Sequence, residues 1–194
     1  IMNKIVLASA SPRRKELLLK YNIKPIIVES KIQEKISLNE TAEQIVMALA
    51  FQKADEVAKG FNEGEIIIGA DTIVTCEGEI LGKPKNKAEG KNMLRFLSDK
   101  KHEVITGISI IKSNTNLKII DFERTVVKFR KLSDEKIESY IKTKEYMDKA
   151  GGYAIQGIGG ILVEYINGCY FNVIGLPIYK LDNLLEKYFN ISIL

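Results

Sequence analysis

Histidine and cysteine are scarce in this chain: one histidine and two cysteines among 194 residues. A single histidine, His102, cannot build a multi-histidine metal centre, and no support is evident for it as the base of a Ser–His–acid triad. A lone histidine at the start of an extended run is expected on the surface. Cys76 and Cys169 lie far apart and in no CxxC pattern, which argues against a zinc site or a disulfide framework. No apolar run approaches the ~20 residues of a membrane span, and the first residues lack the apolar core of a signal peptide. Cytoplasmic residence, with no membrane partner, is the expectation. There is no dense Lys/Arg tract and aromatics are only 8%, so nucleic acid is a poor candidate partner. The absence of GxxxxGK[ST] disfavours a P-loop kinase or GTPase. No repeat, low-complexity segment or linker divides the chain, and one domain over residues 1–194 is expected.

What is present suits a globular protein with a sizeable core. Hydrophobic residues make up 45% and charged residues 28%, with both signs mixed. The net charge, 29 − 25 = +4, is mildly basic and fits an anionic small molecule.

The hydrophobic pattern alternates between helix and strand periods. Ile5–Ala8 reads as a strand and 12–21 as a helix with Leu17 and Leu18 on its core face. Residues 24–28 read as a second strand. Thr41 with Gln44 three residues on is a capping box that opens a long helix ending near Gly60. Residues 65–69 form a short apolar strand; 73–75 and 79–81 read as a hairpin joined at Glu77-Gly78. Lys87–Leu97 is helical by its spacing, 102–112 and 118–129 are extended, and Ser133 opens a helix. Residues 161–165 and 170–174 flank Asn167-Gly168, a tight-turn signal that predicts a hairpin. Pro177 opens a last helix. The expected fold is α/β: one elongated mixed sheet with flanking helices, forming two lobes around a cleft.

Several segments carry groups suited to an anion. After the first strand come Ser9 and Ser11, then Pro12 at the first helical turn, where its missing N–H costs nothing. Arg13, Arg14 and Lys15 follow, although cations at a helix N-terminus oppose the macrodipole. Free backbone N–H groups, hydroxyls and guanidinium forks at one point suit a phosphate. Gly69-Ala70-Asp71-Thr72 follows Ile66-Ile67-Ile68, placing Asp71 where a strand is expected to end, at a sheet rim where ligands bind in α/β folds. There it could polarise a water or hold a metal ion, and Gly69 would let the backbone pass close to a neighbour. Lys83 sits beside Pro84 in a turn. Lys53 lies among apolar neighbours on the long helix, so its charge must snorkel or find a partner. Glu34 lies in a loop after the second strand. Residues 146–157 combine Asp148, Lys149, Gln156 and three glycines; Gln156 can read a donor–acceptor pair on a base edge. Pooled, Arg13, Arg14, Lys53 and Lys83 facing Glu34, Asp71 and Asp148 are what metal-assisted phosphate hydrolysis needs.

The motifs Ser9-x-Ser11-Pro12-Arg13-Arg14, Gly69-Ala70-Asp71-Thr72, Gly82-Lys83-Pro84, Asp148-Lys149-Ala150-Gly151 and Ile155-Gln156-Gly157 occur in this order. Together they resemble the Maf family of septum-formation-inhibitor-like nucleotide pyrophosphatases, from about Leu7 to Leu181. Gly152 and Ala154 exchange small residues around Tyr153 relative to the family pattern. The resemblance implies a cytoplasmic nucleoside triphosphate pyrophosphatase that cleaves between the α- and β-phosphates and needs a divalent cation, Mg²⁺ or Mn²⁺. It implies a fold similar to inosine triphosphate pyrophosphatases, often dimeric, so a homodimer is expected. By this resemblance Asp71 is the proton acceptor; Ser9, Arg14, Lys53 and Lys83 hold phosphate; and Glu34 and Asp71 mark the metal region. Arg13, Thr72 and Gln156 match the branch acting on dTTP and UTP, with modified pyrimidine triphosphates as further candidates. The competing reading is a nucleotide-binding regulator of cell division and septum formation whose hydrolysis is incidental. A pure sensor would not need Asp71.

Overall fold

Ile5–Ala8 forms strand β1, and Pro12–Lys20 forms helix α1 with Pro12 in its first turn. A short strand, β2, spans Ile26–Ile27. Helix α2 covers Ala42–Ala58 and opens with the expected capping box: Gln44 N–H donates to Thr41 Oγ1 at 3.3 Å, and Thr41 N–H donates to Gln44 Oε1 at 2.9 Å. Strands β3 (Ile66–Cys76) and β4 (Glu79–Leu81) follow, then helix α3 (Lys87–Leu97) and the long strands β5 (Lys101–Lys112) and β6 (Lys118–Phe129). Helix α4 (Asp134–Lys142) is capped by Ser133, whose hydroxyl accepts from Lys136 N–H. Two short 3₁₀ turns, Ala150–Gly152 and Ile158–Leu162, lead into strand β7 (Val163–Asn167). Helices α5 (Tyr170–Ile174) and α6 (Ile178–Phe189) complete the chain. This computed structural model describes residues 4–33 and 40–194.

Among the described residues the strand order is β2-β1-β3-β5-β6-β7, with β4 paired to β3. β1 runs parallel to β2 and β3, whereas β3–β4 and β6–β7 are antiparallel. The sheet is therefore mixed, with helices alongside, as the hairpin signals predict.

The chain divides into two compact units: 1–71, 106–123 and 175–194 make the first, and 72–105 with 124–174 make the second. In the first unit, Val6, Ala8, Ala54, Val57, Ile67 and Ile111 form a cluster that seats α2 on β1 and β3. In the second, Leu94 and Leu97 of α3, Ile137 and Ile141 of α4, and Val127 and Phe129 of β6 pack together. Each fully buried aliphatic side chain of this kind contributes about 1.5–3 kcal/mol relative to exposure.

Three local expectations are revised. The two short strands expected at 65–69 and 73–75 are one continuous strand, Ile66–Cys76, so Asp71 lies inside β3 rather than at its end. The segment 170–174 is helical, so β7 finds its partner in β6 and not in a following strand. The physical reason lies with Asn172 and Thr125. Asn172 Nδ2 donates to Val104 O at 2.9 Å and to Thr125 Oγ1 at 3.0 Å, and Thr125 Oγ1 donates to Cys169 O at 3.0 Å. These tertiary bonds turn the chain inward after Gly168 and override the Asn-Gly hairpin preference. Finally, His102 is buried at 2% exposure, because β5 is covered on both faces along most of its length.

Candidate active site

The parallel register explains where Asp71 stands. The pairing of β1 with β3 runs from Ile5 opposite Ile66 to Ala8 opposite Gly69, and there β1 stops. β3 continues, so Asp71 lies two residues beyond the carboxyl end of its neighbour. The rim that the sequence suggests is thus the end of β1 and not the end of β3. Ser9, the first residue past β1, stands at that same rim.

Gly69 performs a packing role here. A Cβ on Gly69 would lie 2.3 Å from Ala50 O and 2.9 Å from Ala54 Cβ. The close approach that this glycine allows is to helix α2 and not to a ligand. It seats α2 directly on β3 and delivers Lys53, one residue before Ala54, to the strand. Lys53 Nζ donates to Asp71 Oδ1 at 2.5 Å, and the two side chains are only 17% and 15% exposed. The lysine on the apolar row of α2 therefore has a partner within the protein.

Arg14 is held as firmly. Its Nε donates to Gly175 O at 2.8 Å and its Nη1 to Ser9 Oγ at 3.0 Å. Ser9 Oγ also accepts from Ser11 N–H at 3.2 Å. Both acceptor positions of the hydroxyl are taken, which leaves its O–H oriented as a donor. Burial lowers the Arg14 pKa to about 10, the Asp71 carboxylate opposes that shift, and the Arg13 charge adds to it. Ser11, the N-cap of α1, makes no side-chain cap bond, and the first turn carries no acid. The N-terminus of α1 is thus uncapped by its own side chains and flanked by cations, as an anion site requires. Ser9, Arg13, Arg14, Lys53 and Asp71 all belong to the first unit.

Thr72, Lys83 and Gln156 belong to the second unit. Thr72 follows Asp71 on β3. Lys83 is exposed in the turn after β4, and Gly151 N–H donates to the adjoining Gly82 O at 3.1 Å, so the Gly82-Lys83-Pro84 turn abuts the glycine-rich segment. Gln156 is exposed on the turn between the two 3₁₀ segments, and Asp148 is exposed at φ 59°. Glu34 lies outside the described residues.

Two features of the second unit escape a reading by spacing. The Glu145 carboxylate accepts Ile158 N–H at 3.0 Å, Gly159 N–H at 2.7 Å and the Tyr140 hydroxyl at 2.9 Å. Its only signal in the sequence is its position just before the motif at Tyr146. Separately, Tyr153 OH and His102 Nε2 are 2.8 Å apart, and both rings stack edge-on against Phe129. Burial pushes the His102 pKa down to about 4 and raises that of Tyr153.

No group of three or more His, Cys, Asp or Glu side chains converges among the described residues. Asp71 nonetheless fits a Mg²⁺-type ion, which is commonly held by one or two carboxylates together with substrate phosphates. No helix among the described residues is long and apolar enough to cross a membrane.

Cations beside a half-buried carboxylate at the carboxyl edge of parallel strands would suit an anionic ligand in a mixed α/β protein. The chain belongs to the Maf family, whose pattern, described as Maf-like protein, matches residues 4–188. The dTTP/UTP pyrophosphatase of Clostridioides difficile (strain 630) is 50% identical over 189 residues, covering 97% of this chain and 97% of that protein. The dTTP/UTP pyrophosphatase of Alkaliphilus oremlandii (strain OhILAs) is 49% identical over 193 residues, covering 100% of both. Among solved structures, the Staphylococcus aureus Ham1 protein is similar at a TM-score of 0.48 and 16% identity, over 66% of this chain and 72% of that one.

Proposed function

We propose that this chain is a nucleoside triphosphate pyrophosphatase that hydrolyses dTTP and UTP to the monophosphate and pyrophosphate, clearing nucleotides from the cytoplasmic pool. The observation that carries the reading is the Lys53–Asp71 pair beside Ser9 and Arg14, in a chain whose full-length relatives bear that name.

The chemistry runs as follows. Ser9 O–H, Arg14 and the N-terminus of α1 bind phosphate oxygens, and Lys83 contributes a further point charge. A water attacks the α-phosphorus as the bond to the bridging oxygen breaks, and pyrophosphate leaves. The proton of that water passes to Asp71, which Lys53 holds in place through its hydrogen bond to Oδ1. Negative charge growing on the bridging oxygen is met by fixed cations, which is where electrostatic catalysis acts. A divalent cation, Mg²⁺ or Mn²⁺, held by Asp71 and Glu34, supplies charge neutralisation of the polyphosphate when bound. Arg13, Thr72 and Gln156 set the choice of base, with Gln156 offering both a donor and an acceptor to a pyrimidine edge. The resemblance supports a homodimer, which light scattering reads directly. The match across residues 4–188 supports a single functional domain.

Product analysis tests this function. With Mg²⁺ and each nucleoside triphosphate in turn, UMP or dTMP plus pyrophosphate is expected, with purines spared. Diphosphate plus orthophosphate would overturn the choice of bond. Binding without turnover of any triphosphate would favour a nucleotide-responsive regulator.

A further inference from the structure

The turn that carries Gln156 has no ladder of its own. Gln156, Gly157 and Ile158 are exposed, and the turn's own bonds are few: Gly157 N–H to Ala154 O at 3.2 Å and Gly160 N–H to Gly157 O at 3.1 Å. A turn so weakly tied internally opens readily unless something outside it takes its remaining N–H groups. Glu145 and Tyr140 do this. Glu145 accepts Ile158 N–H through Oε1 and Gly159 N–H through Oε2, while Tyr140 OH donates to Oε2 and accepts Ala154 N–H at 3.3 Å. Backbone groups on both sides of Gln156 are thereby tied to one carboxylate and one phenol. Both carboxylate oxygens serve as acceptors, and hydrogen bonds to a carboxylate belong to the stronger, charge-assisted kind.

Gly157 makes the arrangement sterically specific. A Cβ at position 157 would stand 1.9 Å from Glu145 Oε1 and 2.6 Å from its carboxyl carbon. Only glycine lets the carboxylate reach under the turn. Glu145 and Gly157 therefore form one device, although eleven residues of sequence lie between them.

We propose that Glu145 is a positioning residue for base discrimination: its carboxylate, seated against Gly157, holds the Ala154–Gly159 turn in the arrangement that presents Gln156 to the nucleobase. The proposal rests on the reading of Gln156 as the base reader. It assigns Glu145 no contact with phosphate and no part in proton transfer.

The test compares Glu145→Gln, Gly157→Ala and Gln156→Ala, measuring kcat/KM for UTP and GTP and the inhibition constant of inorganic tripolyphosphate. Glu145→Gln keeps the shape but sets an amide N–H against a backbone N–H; Gly157→Ala evicts the carboxylate by sterics. Each is expected to lower the UTP:GTP ratio about tenfold, the order expected for one lost hydrogen bond to a charged group. Tripolyphosphate inhibition should not move. Added to Gln156→Ala, Glu145→Gln should cost no further discrimination, because the two act through one contact. An unchanged ratio in Glu145→Gln, with a lowered ratio in Gln156→Ala, overturns the positioning role and leaves the base reader standing. Equal losses for both nucleotides together with weaker tripolyphosphate inhibition overturn it in favour of a general structural role. An unchanged ratio in Gln156→Ala itself removes the base reader, and the positioning role falls with it.

Discussion

Lys53 Nζ and Asp71 Oδ1 meet at 2.5 Å, joining a helix to a strand through an ion pair that is shielded from water. The pair links fold to chemistry, because the lysine arrives there only through the close seating of α2 on Gly69. A carboxylate fixed in this way is held in one orientation, as general-base geometry requires.

Asp71→Asn keeps the shape of the side chain but removes its basicity. Turnover of UTP is expected to fall at least 100-fold, within the ~10²–10⁴ range of general-base contributions, while nucleotide binding survives. Pyrophosphate release and calorimetric titration of the variant measure the two separately. Turnover near the wild-type rate would remove Asp71 from the base role.

Gly69→Ala forces a methyl into 2.3 Å of Ala50 O. Backbone cannot swing aside as a flexible side chain does, so α2 must lift. A stability loss of about 1–3 kcal/mol is expected from overpacking, with kcat lowered because Lys53 moves away from Asp71. Urea unfolding and steady-state kinetics check this. Gly60→Ala, whose Cβ would make an ordinary 3.5 Å contact with Val57 O, serves as the control and should change little.

Lys83 is exposed in its turn. Lys83→Ala should leave the unfolding free energy from urea titration within about 0.5 kcal/mol of the parent, as for ordinary surface changes, yet raise KM for UTP about tenfold through the loss of one phosphate contact. A normal KM would show that Lys83 is a solvated turn residue and nothing more.

His102 gives the fold a pH dependence of definite sign. Burial holds its pKa near 4, below the unfolded value of 6.5. Between those values the unfolded chain binds a proton that the folded chain refuses, so stability falls as pH drops from 6.5 towards 4. The full effect is on the order of 3 kcal/mol, from the size of the shift. His102→Gln, which can still offer Tyr153 OH a partner, should flatten melting temperature against pH across this window. Parallel curves for the two proteins would exclude His102 as the source.

Much of this protein is determined by local sequence. Period and capping place α1, α2, α3 and α4, since a capping box at Thr41 or a Pro at the first turn acts within a few residues. Apart from the break expected before Asp71 and the strand expected at 170–174, the order of strands and helices follows from the same short-range physics, as do the β3–β4 turn at Glu77-Gly78 and the cationic start of α1. So does the set of residues that marks the Maf family, Ser9, Arg13, Arg14 and Asp71 among them, because each motif is contiguous.

Tertiary structure alone decided the rest. Asp71 looks like a strand end in sequence, and only its register with β1 shows that the edge belongs to the neighbour. Residues 170–174 carry a hairpin signal, yet Asn172 and Thr125 bend them into a helix through bonds across more than forty residues. Gly69 reads as a point of close backbone approach, and only the packing shows that the neighbour is α2. Lys53 and Asp71, eighteen residues apart, and Glu145 with Ile158, thirteen apart, are joined by packing that no periodicity encodes. Hydrogen-bond satisfaction and close packing are conditions on the whole fold. They settle which local preference survives, and here they determine which carboxylate faces the cations and which glycine makes room for a neighbour.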